Sequence, residues 1–148
     1  KDVSFEQFKS FLDSLDEEKK SWSLDLQNFK DEKEFYDSRI KFPWQGIVCC
    51  SGDDVIGLST CYNTFEDEDY IEVSFVVKKE FQGNGVGTIL LSEMERLAIK
   101  TRKKAIIAKH YRDNIASHKA FLKAGYSEPI LTEKSNLVWK IKELTKNE

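Results

Sequence analysis

The stretch Tyr70-Ile71-Glu72-Val73-Ser74-Phe75-Val76-Val77, Lys78-Lys79-Glu80-Phe81, Gln82-Gly83-Asn84-Gly85-Val86-Gly87-Thr88 sets a strand, a turn and a helix start in a row. Residues 70–77 are apolar with the period of two that a strand requires, and from Gly85 to about Lys100 the apolar spacing is helical. Between them stand glycines at 83, 85 and 87. A glycine-rich turn from strand into helix leaves backbone N–H groups bare at the positive end of the helix dipole, where phosphate oxygens bind well. A diphosphate lying on such a turn leaves no room for side chains, which accounts for the three glycines. Gln82 can turn its amide toward the same oxygens. The expectation is a phosphate-bearing cofactor held by Gln82, Gly83, Asn84, Gly85, Val86, Gly87 and Thr88.

Working outward, the 148 residues read as one domain over 1–148, long enough to bury about two thirds of its unfolded surface. A hydrophobic content of 40% with 12% aromatics suits a globular core. The start at Lys1 rather than Met leaves open that the domain belongs to a longer chain. A net charge of −3 shows no bias toward nucleic acid. No apolar run approaches ~18 residues and the first residues lack a signal-peptide core, so the expected setting is cytoplasmic, without membrane or nucleic-acid partners. Cys49, Cys50 and Cys61 are an odd set with two adjacent members and no zinc spacing. They read as reduced thiols, and no metal is expected.

Upstream, Phe5, Phe8, Phe11, Leu12 and Leu15 predict a helix from about Phe5 to Glu18, opened by a Ser4–Gln7 capping box. A weaker helical stretch covers about Asp31 to Arg39, and Pro43 ends it. Gly46–Cys50 and Val55–Tyr62 read as a hairpin around Ser51-Gly52-Asp53-Asp54. Downstream, Val86, Ile89, Leu90, Met94 and Leu97 form the buried stripe of the helix that begins at Gly85. Ala105–Lys109 is a short buried strand. Asn114 then caps a helix reaching Ala124, which Gly125 stops. A last strand covers about Leu137–Ile141, with Val138, Trp139 and Ile141 carrying the apolar weight, and one more is weighed near 126–131. Hairpins followed by crossing helices give an α+β domain with a mixed sheet.

Two familiar glycine signatures fail here. A nucleotide-triphosphate loop needs Gly-Lys-Ser/Thr, and no lysine precedes Thr88; a dinucleotide fingerprint needs two residues between its last glycines, and only Val86 separates Gly85 from Gly87. The pattern that fits is Gln/Arg-x-x-Gly-x-Gly/Ala, at Gln82 to Gly87. With Val77-Lys78-Lys79-Glu80-Phe81 before it and Asn114-Ile115-Ala116 to Gly125-Tyr126 after it, the chain resembles the GNAT superfamily of acetyl-CoA-dependent N-acetyltransferases. The resemblance is strong from Tyr70 to Tyr126, although Lys79 replaces the usual proline of the lead-in.

That resemblance implies a mostly antiparallel central sheet flanked by about four helices. It also implies a splay between the fourth and fifth strands, the strand at 70–77 counting as the fourth. Acetyl-CoA would be the cosubstrate, its pantetheine arm bonding backbone groups around Phe75 and Val77 like an added strand. Asn114 and Phe121 would lie along the same ligand. Phe121 is a departure, since many members carry there a tyrosine that protonates the leaving thiolate. Tyr111, Tyr126 or water would have to replace it, and transfer is expected not to depend on residue 121.

The chemistry needs a group to take the proton of an alkylammonium, whose pKa is about 10. Glu72 is one candidate base, and family members often carry glutamate at this position; His110, after the next strand, is the other. The acceptor is expected to be a primary amine of a small molecule or peptide. The resemblance puts its pocket near residues 22–44 and 127–136, where Trp22, Phe35, Tyr36, Phe42 and Trp44 supply aromatic surface. The run Glu66 to Asp69 reads as a solvated loop. The competing reading is a non-catalytic acyl-CoA-binding regulatory domain, and a homodimer through the last strand is compatible with either.

Overall fold

The computed structural model describes residues 3–15, 31–37, 46–62, 69–128 and 136–144. These residues form ten strand and helix segments in three layers. Helices α1 (Phe5–Ser14) and α2 (Glu32–Phe35) precede strands β1 (Gly46–Ser51), β2 (Asp54–Tyr62) and β3 (Tyr70–Val77). A 3-10 turn at Lys79–Phe81 leads into α3 (Val86–Lys100), followed by β4 (Ala105–Tyr111), α4 (Ile115–Lys123) and β5 (Leu137–Glu143). The sheet order is β1-β2-β3-β4-β5, antiparallel throughout except for the parallel β3–β4 pair.

The crossover of α3 between parallel strands sets the layers. On one face Ile71, Val73, Ile106 and Ala108 pack against Leu91, Met94, Leu97 and Ala98 of α3 and Phe121 of α4. On the other, Val55, Leu58 and Val76 meet Phe8, Phe11, Leu12, Leu15 and Phe35. A ten-residue helix such as α1 is marginal alone, so its stability comes from this packing. Phe8, Phe11 and Leu12 are all buried, each contributing roughly 1.5–3 kcal/mol. The Ser4–Gln7 capping box is present in both directions.

Several boundaries and faces differ from the sequence expectation. Helix α1 ends at Ser14 because Leu15 turns extended (φ −80°, ψ 138°) and drops its side chain into the core. On α3 the buried stripe is Val86, Leu90, Leu91, Met94, Leu97 and Ala98, while Ile89 is 54% exposed. At 100° per residue the stripe runs from Val86 round to Leu91, and Ile89 falls outside it on the side away from Leu91. In β5 the inward residues are Val138 and Lys140, and Trp139 faces out. The extra strand near 126–131 reduces to one antiparallel bridge, Ser127 with Ile141; residues 129–135 lie outside the described part. Cys61 is buried, Cys49 and Cys50 are half-buried, and none of the three is disulfide-bonded.

The first turn of α3 sits directly on β2 at Gly57. A Cβ there would stand 2.8 Å from Val86 Cγ1 and 3.1 Å from Leu90 Cδ1. Gly57→Ala is therefore expected to push α3 off the sheet and cost about 1–3 kcal/mol, read as a lower urea midpoint at unchanged slope.

Candidate functional site

A fork in the sheet makes the site. The parallel β3–β4 register runs from Tyr70↔Ala105 to Val73↔Ala108 and stops, although β3 continues to Val77 and β4 to Tyr111. These are the third and fourth described strands, so the expected splay lies between β3 and β4. The Lys78 N–H donates to Ile56 O at 2.8 Å, on the β2 side. By the alternation of an antiparallel ladder, the main-chain groups of Phe75 and Val77 turn the other way, into the fork.

A cleft of about 470 Å³ opens from this point. Phe75, Val76 and Val77 form one wall, and Asn114, Ala116, Ser117 and Ala120 the other. Phe81, Gln82, Gly83, Gly85, Gly87 and Thr88 close one end. Lys79, Lys119 and Lys123 line it as well, and no carboxylate does among the described residues. In a chain of net charge −3 this is a local reversal of sign that attracts anions. The lysines escape a motif search, yet Ala116, Lys119, Ala120 and Lys123 recur at i, i+3, i+4 and i+7 and so share one helical face.

The glycines serve different purposes. Gly83 (φ 79°) and Gly85 (φ 87°) adopt the left-handed region, where side chains are strained. Gly85 is the N-cap of α3 and no side chain caps that helix. The N–H groups of its first turn therefore have no helical acceptor. Gly87 answers to packing instead, since a Cβ there would lie 3.2 Å from Phe75 Cε2. That corrects the idea that all three glycines make room for a ligand. Asn84 is exposed and does not line the cleft, while Val86 is buried with Ile56, Val77 and Leu90.

Asn114 caps α4, its side chain accepting from the Ser117 N–H at 3.2 Å, and it also lines the cleft. Phe121 does not line it. The ring is 2% exposed, wedged between Phe75 at 5.3 Å, Tyr126 at 5.0 Å and His110 at 6.2 Å between centroids. Phe121 thus backs the cleft wall. Tyr126 is no substitute proton donor there: it lies in the core beneath α3, its hydroxyl has no hydrogen-bond partner among the described residues, and burial followed by the nearby Glu95 charge raises its pKa. Tyr111 does not line the cleft either.

The two candidate bases lie on opposite faces of the sheet. Glu72 points away from α3 and α4, one rung before the last β3–β4 pair, and its Oε2 meets Lys109 Nζ at 3.6 Å. His110 points toward α4 and is 3% exposed. Its Nδ1 is 2.8 Å from Tyr111 O, an acceptor, so Nδ1 carries the proton. Its Nε2 then accepts from Lys140 Nζ at 2.8 Å. Fully buried Lys140 also reaches Glu128 Oε1 at 2.7 Å, and His118 Nδ1 lies 3.2 Å from the same oxygen. With its lone pair engaged and its ring buried, His110 is a structural residue in this geometry.

Burial, and after it the Lys140 and His118 charges, hold the His110 pKa below its usual 6.5, outweighing the hydrogen bond to Tyr111 that raises it. The unfolded chain thus takes up a proton near 6.5 that the folded chain refuses. This stabilisation is complete above that pH and is lost as pH falls toward the lower folded value. Melting temperature is expected to drop between about pH 7 and about pH 5, with a shallower fall in His110→Gln.

Of the expected acceptor-pocket aromatics, Phe35 stacks on Phe8 at 5.5 Å in the core, and Tyr36 donates its hydroxyl to Val3 O at 2.5 Å. Both hold α1 to α2. Trp22, Phe42 and Trp44 lie outside the described residues, as do Glu66, Asp67 and Glu68.

Residues 10–126 match the family model described as the Acetyltransferase (GNAT) family. No curated protein sequence matches the chain. Among solved structures, the GNAT domain of S. lividans PAT superposes with a TM-score of 0.81 at 18% identity, covering 97% of this chain and 89% of that one. Ribosomal-protein-alanine N-acetyltransferase from Brucella melitensis gives 0.70 at 18%, covering 97% and 98%. The yncA protein of Salmonella typhimurium, solved with its cofactor acetyl-CoA, gives 0.64 at 20%, covering 79% and 76%. At such identities these likenesses show the fold.

Proposed function

Because the chain belongs to the GNAT acetyltransferase family, we propose that it moves an acetyl group from acetyl-CoA to a primary amine of a small molecule or peptide. The observation that carries this reading is the cleft itself. It joins a helix N-terminus behind left-handed Gly85 with no side-chain cap, three lysines with no carboxylate among the described residues lining it, and strand amides turned into a fork. Those features fit a ligand with a diphosphate at one end and an amide-bearing arm at the other.

Gly83, Gly85, Thr88 and the first-turn amides of α3 would hold the diphosphate, with Gln82 and the lysines beside it. The Phe75 and Val77 main chain would bond the arm and donate to a carbonyl oxygen in the fork. When bound, acetyl-CoA supplies an acyl group activated as a thioester. Glu72, at the fork but on the far face, would take the proton of the incoming ammonium. Asn114 fixes the start of α4 and presents its remaining amide group to the cleft.

Phe121, which has no proton to give, and His110, whose lone pair is taken, favour a second reading, a non-catalytic acyl-CoA-binding domain. Release of coenzyme A thiol is the test, followed over polyamines, amino sugars, amino acids and peptide N-termini. Acceptor-dependent release supports the transferase. Tight acetyl-CoA binding without turnover on any of them supports the binding domain.

A further inference from the structure

Lys109 is the first β4 residue past the last parallel rung, Val73↔Ala108. Its ammonium lies 3.6 Å from Glu72 Oε2 and 4.5 Å from the centroid of the Trp139 ring. Both ion-pair partners are partly shielded, at 25% and 29% exposure. A primary amine of the protein itself therefore stands at the mouth of the fork, against the carboxylate assigned as base, on the face opposite α3 and α4. An ion pair of this exposure stabilises little, about 0–1 kcal/mol, so stability alone gives weak reason to keep an amine there.

We propose that Lys109 is an acetylation site of this chain, modified in cis from acetyl-CoA bound in the cleft. The inference rests on the reading given under Proposed function. In the step, the Lys109 ammonium gives one proton to Glu72, and the freed lone pair forms a bond to the acyl carbon. The carbon–sulfur bond breaks and the electron pair leaves on sulfur. Of the two protons the nitrogen sheds, one passes through Glu72 to water and the other ends on the thiol of coenzyme A. The acetylated side chain is neutral, which frees Glu72 from its ion pair.

Two measurements on the whole chain test this. First, folded protein with acetyl-CoA and no acceptor is digested and the peptides weighed over time. Lys109 is expected to gain acetyl at least about tenfold faster than exposed Lys33 and Lys104, at a rate independent of protein concentration. Glu72→Gln is expected to slow it by about 100-fold. Second, acetic anhydride without acetyl-CoA is expected to modify Lys109 no faster than the same two lysines, because Lys109 is only 25% exposed and its ammonium is held by Glu72 and the Trp139 ring. Lys109→Arg keeps both charge contacts and checks the peptide assignment. Modification of Lys109 no faster than of Lys33 and Lys104, in protein shown calorimetrically to bind acetyl-CoA, overturns the inference and leaves the proposed function standing. Anhydride preference for Lys109 equal to that seen with acetyl-CoA overturns the inference, and absence of acetyl-CoA binding to the folded chain overturns the cofactor reading with it.

Discussion

Gly85→Val is expected to weaken acetyl-CoA binding by about 100-fold or more, equivalent to roughly 3 kcal/mol. Gly85 holds φ 87° as the N-cap of α3, and a non-glycine residue in that region costs about 1–3 kcal/mol, with β-branched valine at the upper end. A Cβ at Gly85 meets nothing within 4 Å, so the protein interior does not object; the backbone does. The variant has two ways out. It can keep the left-handed turn and lose stability, or it can rotate the turn and re-aim the amides of Val86, Gly87 and Thr88. Only the second removes the anion site, and a strained β-branched residue favours it. Gly85→Asn, which tolerates the left-handed region better, is expected to fall between valine and the parent. Titration calorimetry, together with a denaturation curve showing the fold retained, reads both quantities.

Glu72→Gln is expected to lower kcat by about 100-fold to 1,000-fold while leaving acetyl-CoA affinity within about twofold. Glutamine keeps the shape and can still accept from Lys109, but it cannot take a proton. Glu72 lies outside the cleft, on the other face of β3, so the cofactor contacts are untouched. The pH dependence separates a base from a mere neighbour. Without the carboxylate, rate should climb steeply with pH as the acceptor amine, with a pKa near 10, loses its proton to solvent instead. Equal slopes in parent and variant would reduce Glu72 to a partner of Lys109.

The strand, turn and helix at 70–100 were legible because three independent signals agreed there: period two, glycine at left-handed positions, and period 3.6. The Asn114 cap and Gly125 stop were legible for the same local reason. What escaped depends on tertiary partners. Trp139 and Lys140 exchange the faces that hydropathy assigns them, because Lys140 finds Glu128 and His110 as buried partners and Trp139 lies beside the Lys109 ammonium. His110 reads as a titratable group at a strand end, yet the same lysine takes its lone pair. Glu72 and Lys109 are 37 positions apart in sequence, and only the parallel register brings them together. The three cleft lysines come from two elements, so no linear motif joins Lys79 to the α4 pair. Ile89 lies beyond one edge of the α3 stripe and Leu91 inside the other, where apolar type alone does not set burial.

Calorimetric titration of the folded chain with acetyl-CoA bears most directly on the amides bared at the start of α3. Saturable heat at one site per chain, with a raised melting temperature and both effects lost in Gly85→Val, is the predicted result. A folded chain that gives neither heat nor thermal protection at about 1 mM ligand would contradict it.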